Sequence, residues 1–279
     1  MVLRENYVAS PERYANEDKM YQRCGCSGIL LPKISLGFWH NFGYEAPWER
    51  QREITHYAFD HGITHFDLAN NYGPPYGAAE ENFGKLMHDD FRPYRDEMFI
   101  ASKAGYDMWQ GPYGNWGSRK YLMASIDQSL KRMQLDYVDL FYSHRYDPNT
   151  PLEETLQALV DIVRQGKALY VGISRWPLEA LKVAREYLAA HDVPLLIYQG
   201  RLNLIDRAPQ EEGILDYCHN HGIGFISFSP LASGKLRDRY EEALNWILEQ
   251  QGVTSILVGV SKVEQLQKNI DCIMHNSCT

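Results

Sequence analysis

An aspartate, a tyrosine, a lysine and a histidine each fall where a short apolar, β-rich run gives out. Asp67 and Tyr72 stand in HFDLANNYGP, Lys103 ends FIASK, and His144 ends FYSH. Brought together, these four side chains make a proton-donating site. A phenol with a pKa of about 10 is a poor acid at neutral pH, and a neighbouring ammonium lowers that value by favouring the phenolate. Lys103 can supply the charge, Asp67 can hold Lys103 in place and protonated, and His144 can orient a carbonyl oxygen by hydrogen bonding. Taken singly, each has an ordinary explanation: a turn aspartate, a packing tyrosine, a solvated lysine or histidine. Four such residues at consecutive strand ends outweigh those separate explanations.

The elements that must carry them alternate regularly. Strands are expected at 34–36, 65–67, 98–102, 137–143, 170–174, 195–199, 224–229 and 254–258, and helices at 48–60, 79–87, 119–133, 152–165, 178–190, 212–221, 241–251 and 263–274. Before them, MYQRCGCSGILLP reads as a hairpin around Gly25 to Gly28. Eight strand and helix repeats predict an α/β fold, a TIM (β/α)8 barrel with an N-terminal β-hairpin, in which the chemistry sits at the C-terminal strand ends. A doubly wound open sheet fits less well, because SLGFWHNFG, after the first strand, lacks a G-x-G-x-x-G phosphate turn. No low-complexity linker divides residues 1–279, so a single domain is expected behind a polar leader of residues 1–19.

Composition narrows the function classes. The 279 residues are 44% hydrophobic and 23% charged with a net charge of -8, and no basic stripe suits nucleic acid. No run approaches the roughly 18 apolar residues of a membrane span, and the leader lacks a signal-like apolar core, so a cytoplasmic location is expected. Of the five cysteines, Cys24 and Cys26 form a C-x-C while Cys218, Cys272 and Cys278 are scattered. That spacing matches neither a zinc knuckle nor a disulfide framework, and no metal is expected.

The segments GITHFDLANNYG, FIASKAGYD, YVDLFYSHR, GKALYVGIS, ISFSPLASG and ILVGVSKVEQLQKNI resemble the aldo-keto reductase superfamily over nearly the whole chain from Met20. NNYGPPYGAAEENFGKLM, KAGYDMWQGPYG, GSRKYLMASIDQSLKRM and YSHRYDPNTPLEET resemble in particular the bacterial L-glyceraldehyde 3-phosphate reductases, also described as methylglyoxal-reducing, whose wider relatives include potassium channel β-subunits. The resemblance implies NADPH-dependent reduction of small aldehydes or ketones by direct hydride transfer. Tyr72 is then the proton donor, Lys103 lowers its pKa, Asp67 pairs with Lys103, and His144 helps place the carbonyl. The implied nicotinamide contacts are Ser174, Gln199 and Phe228, with Trp39 and Asp67 nearby and Ser229, Leu231 and Gly234 along the pyrophosphate. A nucleotide-sensing regulatory subunit is the alternative that the channel relatives raise. The expected partner is a small carbonyl substrate, with no nucleic acid or membrane, and self-association is left open.

At the cofactor's far end, GVSKVEQLQKN opens the last helix, whose first backbone N–H groups can receive a phosphate. Gly259, Ser261 and Lys262 lie at that turn, Gln265 and Asn269 one helical turn apart are expected toward the adenosine, and Lys268 toward the 2′-phosphate. For substrate, Trp39, Tyr72 and His144 are joined by Arg145, a guanidinium suited to phosphate. Arg175 and Arg201 are weaker candidates of the same kind, and Trp109 and Trp116 stand in the third mouth loop. Two stretches depart from the family pattern. Leu202 stands in YQGRLNL where many relatives carry tyrosine, and SPLASGKL runs through RDRY straight into EEALNWILEQQ. The family has a long connection there that folds over the pyrophosphate. Between residues 236 and 241 the connection is therefore either shortened, with weak cofactor binding, or missing residues of a mobile lid; the second reading is preferred.

Overall fold

A computed structural model describes residues 7–276; Met1–Asn6 of the leader and Cys278 lie outside the described residues. The leader is not a featureless approach to the barrel. The Tyr7 hydroxyl donates to Asp60 at 2.8 Å, Arg13 grips Glu97 through Nε and Nη2 at 2.9 and 2.7 Å, and a short helix α1 (Glu17–Met20) follows. The expected hairpin forms next, from β1 (Tyr21–Arg23) and β2 (Leu30–Pro32) paired antiparallel with Tyr21 opposite Pro32. It closes the barrel floor: Gly25 turns at φ +55, so close to the Gly222 carbonyl that a Cβ would meet that oxygen at 2.1 Å. Burial beside it pushes the Cys24 thiol up to about 12.

Eight parallel strands then close a barrel: β3 (Ile34–Gly37), β4 (His65–Asp67), β5 (Phe99–Ala104), β6 (Val138–Ser143), β7 (Ala168–Ser174), β8 (Leu195–Arg201), β9 (Gly224–Phe228) and β10 (Val253–Val258), with β10 pairing back to β3. Helices α2 (Trp48–Asp60), α3 (Ala78–Leu86), α4 (Arg119–Met133), α5 (Leu152–Arg164) and α6 (Leu178–Ala190) lie between successive strands. They are followed by α7 (Ala208–Glu211), α8 (Ile214–Asn220), α9 (Tyr240–Leu248) and α10 (Val263–Asn276). The strands are buried nearly end to end, as expected when helices cover the outside and side chains fill the inside. Among the described residues no helix is long and apolar enough to cross a membrane.

Departures from the expected elements have local causes. The third helix gives way at Met87 to a π turn and then, from Arg92, to a 3-10 segment, where Pro93 has no N–H for an α-helical bond. The helix expected over 212–221 begins at Ile214 instead, because Gly213 turns at φ +75 and separates it from α7, a further short helix before the expected range. Ser229 leaves β9 in the left-handed region, φ +55, rather than extending the strand.

Near the floor, a polar chain crosses three strands. Ser255 Oγ donates to the Pro32 carbonyl at 2.7 Å and lies 2.6 Å from Ser35 Oγ, which lies 2.8 Å from His65 Nδ1. With the Ser255 proton so committed, Ser35 donates to Ser255 and His65 Nδ1–H donates to Ser35. His65 Nε2 is left as a buried lone pair without a partner. Burial is the main cause that takes this imidazole down from 6.5 to about 3.

Candidate active site

The segment after β4 continues alongside β5. Leu68 N–H donates to the Ala101 carbonyl and Asn70 N–H to the Lys103 carbonyl, both at 2.9 Å. That alignment sets Asp67 beside Lys103, and the turn closed by Tyr72 N–H on the Ala69 carbonyl at 3.1 Å returns Tyr72 over the same lysine. Lys103 Nζ donates to Asp67 Oδ2, to the Leu68 carbonyl at 2.7 Å and to the Tyr72 hydroxyl at 3.2 Å. From the far wall, Gln199 Nε2 donates to Asp67 Oδ1 at 3.1 Å. Asp67, Lys103 and Tyr72 are all buried.

The electrostatics differ from the sequence expectation at one point. Tyr72 sits well above its ordinary 10.0, because burial disfavours the phenolate and the Asp67 charge adds to that effect. Lys103 does not bring it down, because the ammonium is bonded to Asp67 and the pair is net neutral toward the phenol. Burial lowers Lys103 and raises Asp67, each shift opposed by the other's charge. The resting phenol therefore keeps its proton at neutral pH.

His144 completes the group. Its backbone N–H is bonded to the Ala104 carbonyl at 2.9 Å, and its ring meets Tyr72 edge-on with centroids 5.8 Å apart. Burial first, and then Lys103, Arg175 and Arg145, hold it well below 6.5, so it is a neutral imidazole. Tyr106, not singled out in the sequence although it stands in KAGYD, packs edge-on against the other side of His144 at 4.7 Å.

The three arginines at the strand ends part company. Arg145 has its guanidinium 3.5 Å from the Trp116 ring centroid and 4.3 Å from that of Tyr106, with Nε and Nη2 donating to the Gly105 carbonyl and Asn115. Arg201 is exposed and paired with Asp206 at 3.2 Å. Arg175 is exposed and donates to the Tyr106 hydroxyl at 2.9 Å. Trp39 is exposed and tilts over Tyr72 at 6.4 Å, on the rim where a substrate wall was expected. Trp109 packs on Tyr121, with ring centroids 5.2 Å apart.

Toward a nicotinamide, the donor set has suitable chemistry. Ser174 and Gln199 are register partners at the buried ends of β7 and β8, and the half-buried ring of Phe228 ends β9 opposite Arg201. A hydroxyl, a carboxamide and an aromatic face thus converge on the side of Asp67. At the opposite end of a cofactor, a Cβ on Gly259 would have no atom within 4 Å, so the turn into α10 is open. Lys262 is exposed there. The Ser261 N–H and hydroxyl both donate to Gln265 Oε1, at 2.8 and 3.2 Å, so Gln265 caps its own helix.

One residue that the sequence did not single out changes this end. The connection between β9 and α9 is short, made of 3-10 turns at Ala232–Gly234 and Arg237–Arg239, with Leu231 against Ala232, Leu236 and Ala243. It delivers Tyr240 onto α10, where the Tyr240 hydroxyl bonds the buried Asn269 and the Lys268 ammonium lies 4.5 Å from the ring centroid. A second unanticipated residue is Glu80, fully buried, which accepts from Ser102 at 2.5 Å and from Arg132 at 2.7 Å behind Lys103. Only a long-range partner distinguishes it from a solvated helix glutamate, and sequence spacing does not show one.

The model of the aldo/keto reductase family matches residues 33–245. The chain is 48% identical to L-glyceraldehyde 3-phosphate reductase of Escherichia coli O157:H7 and 47% to that of strain K12, covering 96% of this chain and 90% of each relative. Those alignments run over 315 positions, more than the 279 residues here, so the relatives carry residues that this chain lacks. A probable voltage-gated potassium channel subunit beta of Arabidopsis thaliana is 35% identical over 80% of this chain and 67% of its own length. Among solved structures, a thermostable aldo-keto reductase in complex with the inhibitor epalrestat superposes with a TM-score of 0.74 at 30% identity, over 91% of this chain and 94% of that one. The closed barrel and the matched family agree, and this oxidoreductase chain belongs to the aldo/keto reductase family.

Proposed function

We propose that the protein reduces small aldehydes and ketones, with L-glyceraldehyde 3-phosphate and methylglyoxal as candidate substrates, using NADPH as reductant and Tyr72 as proton donor. The observation that carries this reading is the contact of Lys103 Nζ with the Tyr72 hydroxyl at 3.2 Å, beside a neutral His144. The identity to relatives named L-glyceraldehyde 3-phosphate reductase supports the substrate class.

NADPH, when bound, supplies the hydride that reaches the carbonyl carbon. Ser174 and Gln199 are suited to its carboxamide and Phe228 to its ring face, while Ser229, Leu231 and Gly234 lie along the pyrophosphate side. Gly259, Ser261 and Lys262 are the candidates for the phosphate of the adenosine, with Lys268 and Asn269 already engaged by Tyr240. The chain's own residues do the rest. His144 donates an N–H to the carbonyl oxygen and Trp39 walls the opening. As negative charge builds on that oxygen, the Tyr72 hydroxyl gives it a proton. The phenolate left behind keeps the hydrogen bond that Lys103 Nζ already donates to that oxygen, while Asp67 holds the ammonium protonated and in place.

The test is direct. Purified protein should oxidise NADPH with L-glyceraldehyde 3-phosphate or methylglyoxal, and more slowly with NADH in its place. Cofactor binding without turnover of any aldehyde would sink this reading and favour a regulatory one of the channel-subunit type.

A further inference from the structure

Arg145 lies two residues past the end of β6 and Arg175 one past the end of the neighbouring β7, yet their guanidinium groups have opposite commitments. Arg145 is sandwiched between Trp116 and Tyr106 and donates to the Gly105 carbonyl at 2.7 Å and to Asn115 Oδ1 at 2.6 Å. It acts as a staple for the loop between β5 and α4. Moving it toward a ligand breaks both hydrogen bonds and both ring contacts.

Arg175 is held differently. Its backbone is left-handed, φ +58, with its N–H bonded to the Gln199 carbonyl at 3.2 Å. A residue other than glycine adopts that conformation at a cost, so the surrounding structure fixes where the side chain leaves the barrel. The guanidinium is exposed and donates one hydrogen bond, to the Tyr106 hydroxyl at 2.9 Å. Among the described residues it has no carboxylate partner. Tyr106 packs in turn on His144 at 4.7 Å. One side chain, Tyr106, thus bridges the guanidinium and the imidazole that addresses the carbonyl.

Resting on the reductase reading above, we propose that Arg175 is the anion contact of the active site and selects small aldehydes that carry a phosphate two or three carbons from the carbonyl. Its planar fork meets two phosphate oxygens, and Tyr106 holds it in position without neutralising it. Arg145 contributes by keeping Tyr106 in place and does not bind the anion. An arginine that is tethered but unpaired gives up little on binding a phosphate, whereas an arginine already in an ion pair must first lose its partner.

The experiment compares wild type with Arg175→Gln, Arg175→Lys and Arg201→Gln. Steady-state kinetics are measured with NADPH and either glyceraldehyde 3-phosphate or unphosphorylated glyceraldehyde. Arg175→Gln should raise KM for the phosphorylated aldehyde by about tenfold or more, the scale of one charge-assisted contact, and change kcat and the KM for NADPH less than twofold, roughly within the scatter of an unperturbed step. Glyceraldehyde itself should be unaffected, Arg175→Lys should recover part of the loss, and Arg201→Gln should behave as wild type. Equal effects on both aldehydes, or none, overturn the proposal. A second readout does not depend on turnover: calorimetric titration with glycerol 3-phosphate and with glycerol. Binding of the phosphate that is lost in Arg175→Gln supports the assignment even if no aldehyde is reduced. Absent binding to wild type, or binding unchanged in Arg175→Gln, refutes it independently of the catalytic reading.

Discussion

Lys103 donates to Tyr72 at 3.2 Å while it is also bonded to Asp67 and to the Leu68 carbonyl, so the ammonium that faces the phenol is already paired with a carboxylate. The consequence is a phenol that keeps its proton until a neighbouring oxygen demands it. Replacing Tyr72 with Phe should therefore lower kcat by about 10²- to 10⁴-fold, the usual yield of one general acid. Cofactor affinity and thermal stability should stay near wild type, since among the described residues the hydroxyl has Lys103 alone as its hydrogen-bond partner. Single-turnover kinetics and cofactor titration check the two halves; retained turnover would remove Tyr72 from the chemistry.

The pH profile follows from the same charges. His144 is held well below 6.5 and Tyr72 well above 10.0, so neither group changes state between those values. The rate of carbonyl reduction at saturating cofactor should be free of an inflection from either residue over that interval. An inflection near neutrality that disappears in a Tyr72 or His144 variant would contradict the assignment.

Breaking the buried pair on one side should cost far more than removing it whole. Lys103→Met strands Asp67, which is fully buried with Gln199 as its remaining side-chain donor, and should destabilise the fold by about 3–5 kcal/mol. The double variant Lys103→Met with Asp67→Asn should recover much of that loss while staying inactive. Urea unfolding of the two variants and wild type gives the comparison, and equal stabilities of the single and double variants would argue against the pairing.

His65 makes a prediction about acid stability. Its folded value of about 3 lies below the ordinary 6.5, so the unfolded chain takes up the proton first. Its contribution to stability is complete above 6.5 and is lost as the pH falls from there toward 3, by about 2 kcal/mol at pH 5. In His65→Asn the stability difference between pH 7 and pH 5 should shrink by that amount, as denaturant titrations at the two pH values would reveal.

Much of this was legible in the sequence because periodicity and strand ends are local signals. Trp48–Asp60, Arg119–Met133 and Leu178–Ala190 form the helices that their apolar spacing predicts, and the closed barrel follows from counting repeats. Asp67, Tyr72, Lys103 and His144 stood out because polar residues interrupt apolar strands at their ends. Long-range pairing was not legible. The neutral Lys103–Asp67 pair that leaves Tyr72 unacidified, the burial of Glu80 against Ser102 and Arg132, and the sandwich that occupies Arg145 all depend on partners from 22 to 52 positions away in the chain. The engagement of Asn269 by Tyr240 depends on how far α9 is drawn in by a short connection.

That connection bears on tempo. Only Ser229 to Arg239 separate β9 from α9, and within them Leu231 and Leu236 pack with Ala232 against Ala243 of α9. An enzyme that must lift a cover before releasing its oxidised cofactor turns over at the speed of the cover. A connection this short leaves little chain for such a cover, so bond making and breaking should set the pace. Cofactor deuterated at the transferred position should then slow kcat and kcat/KM by the same factor, and a kcat indifferent to deuterium would mean that release is gated after all.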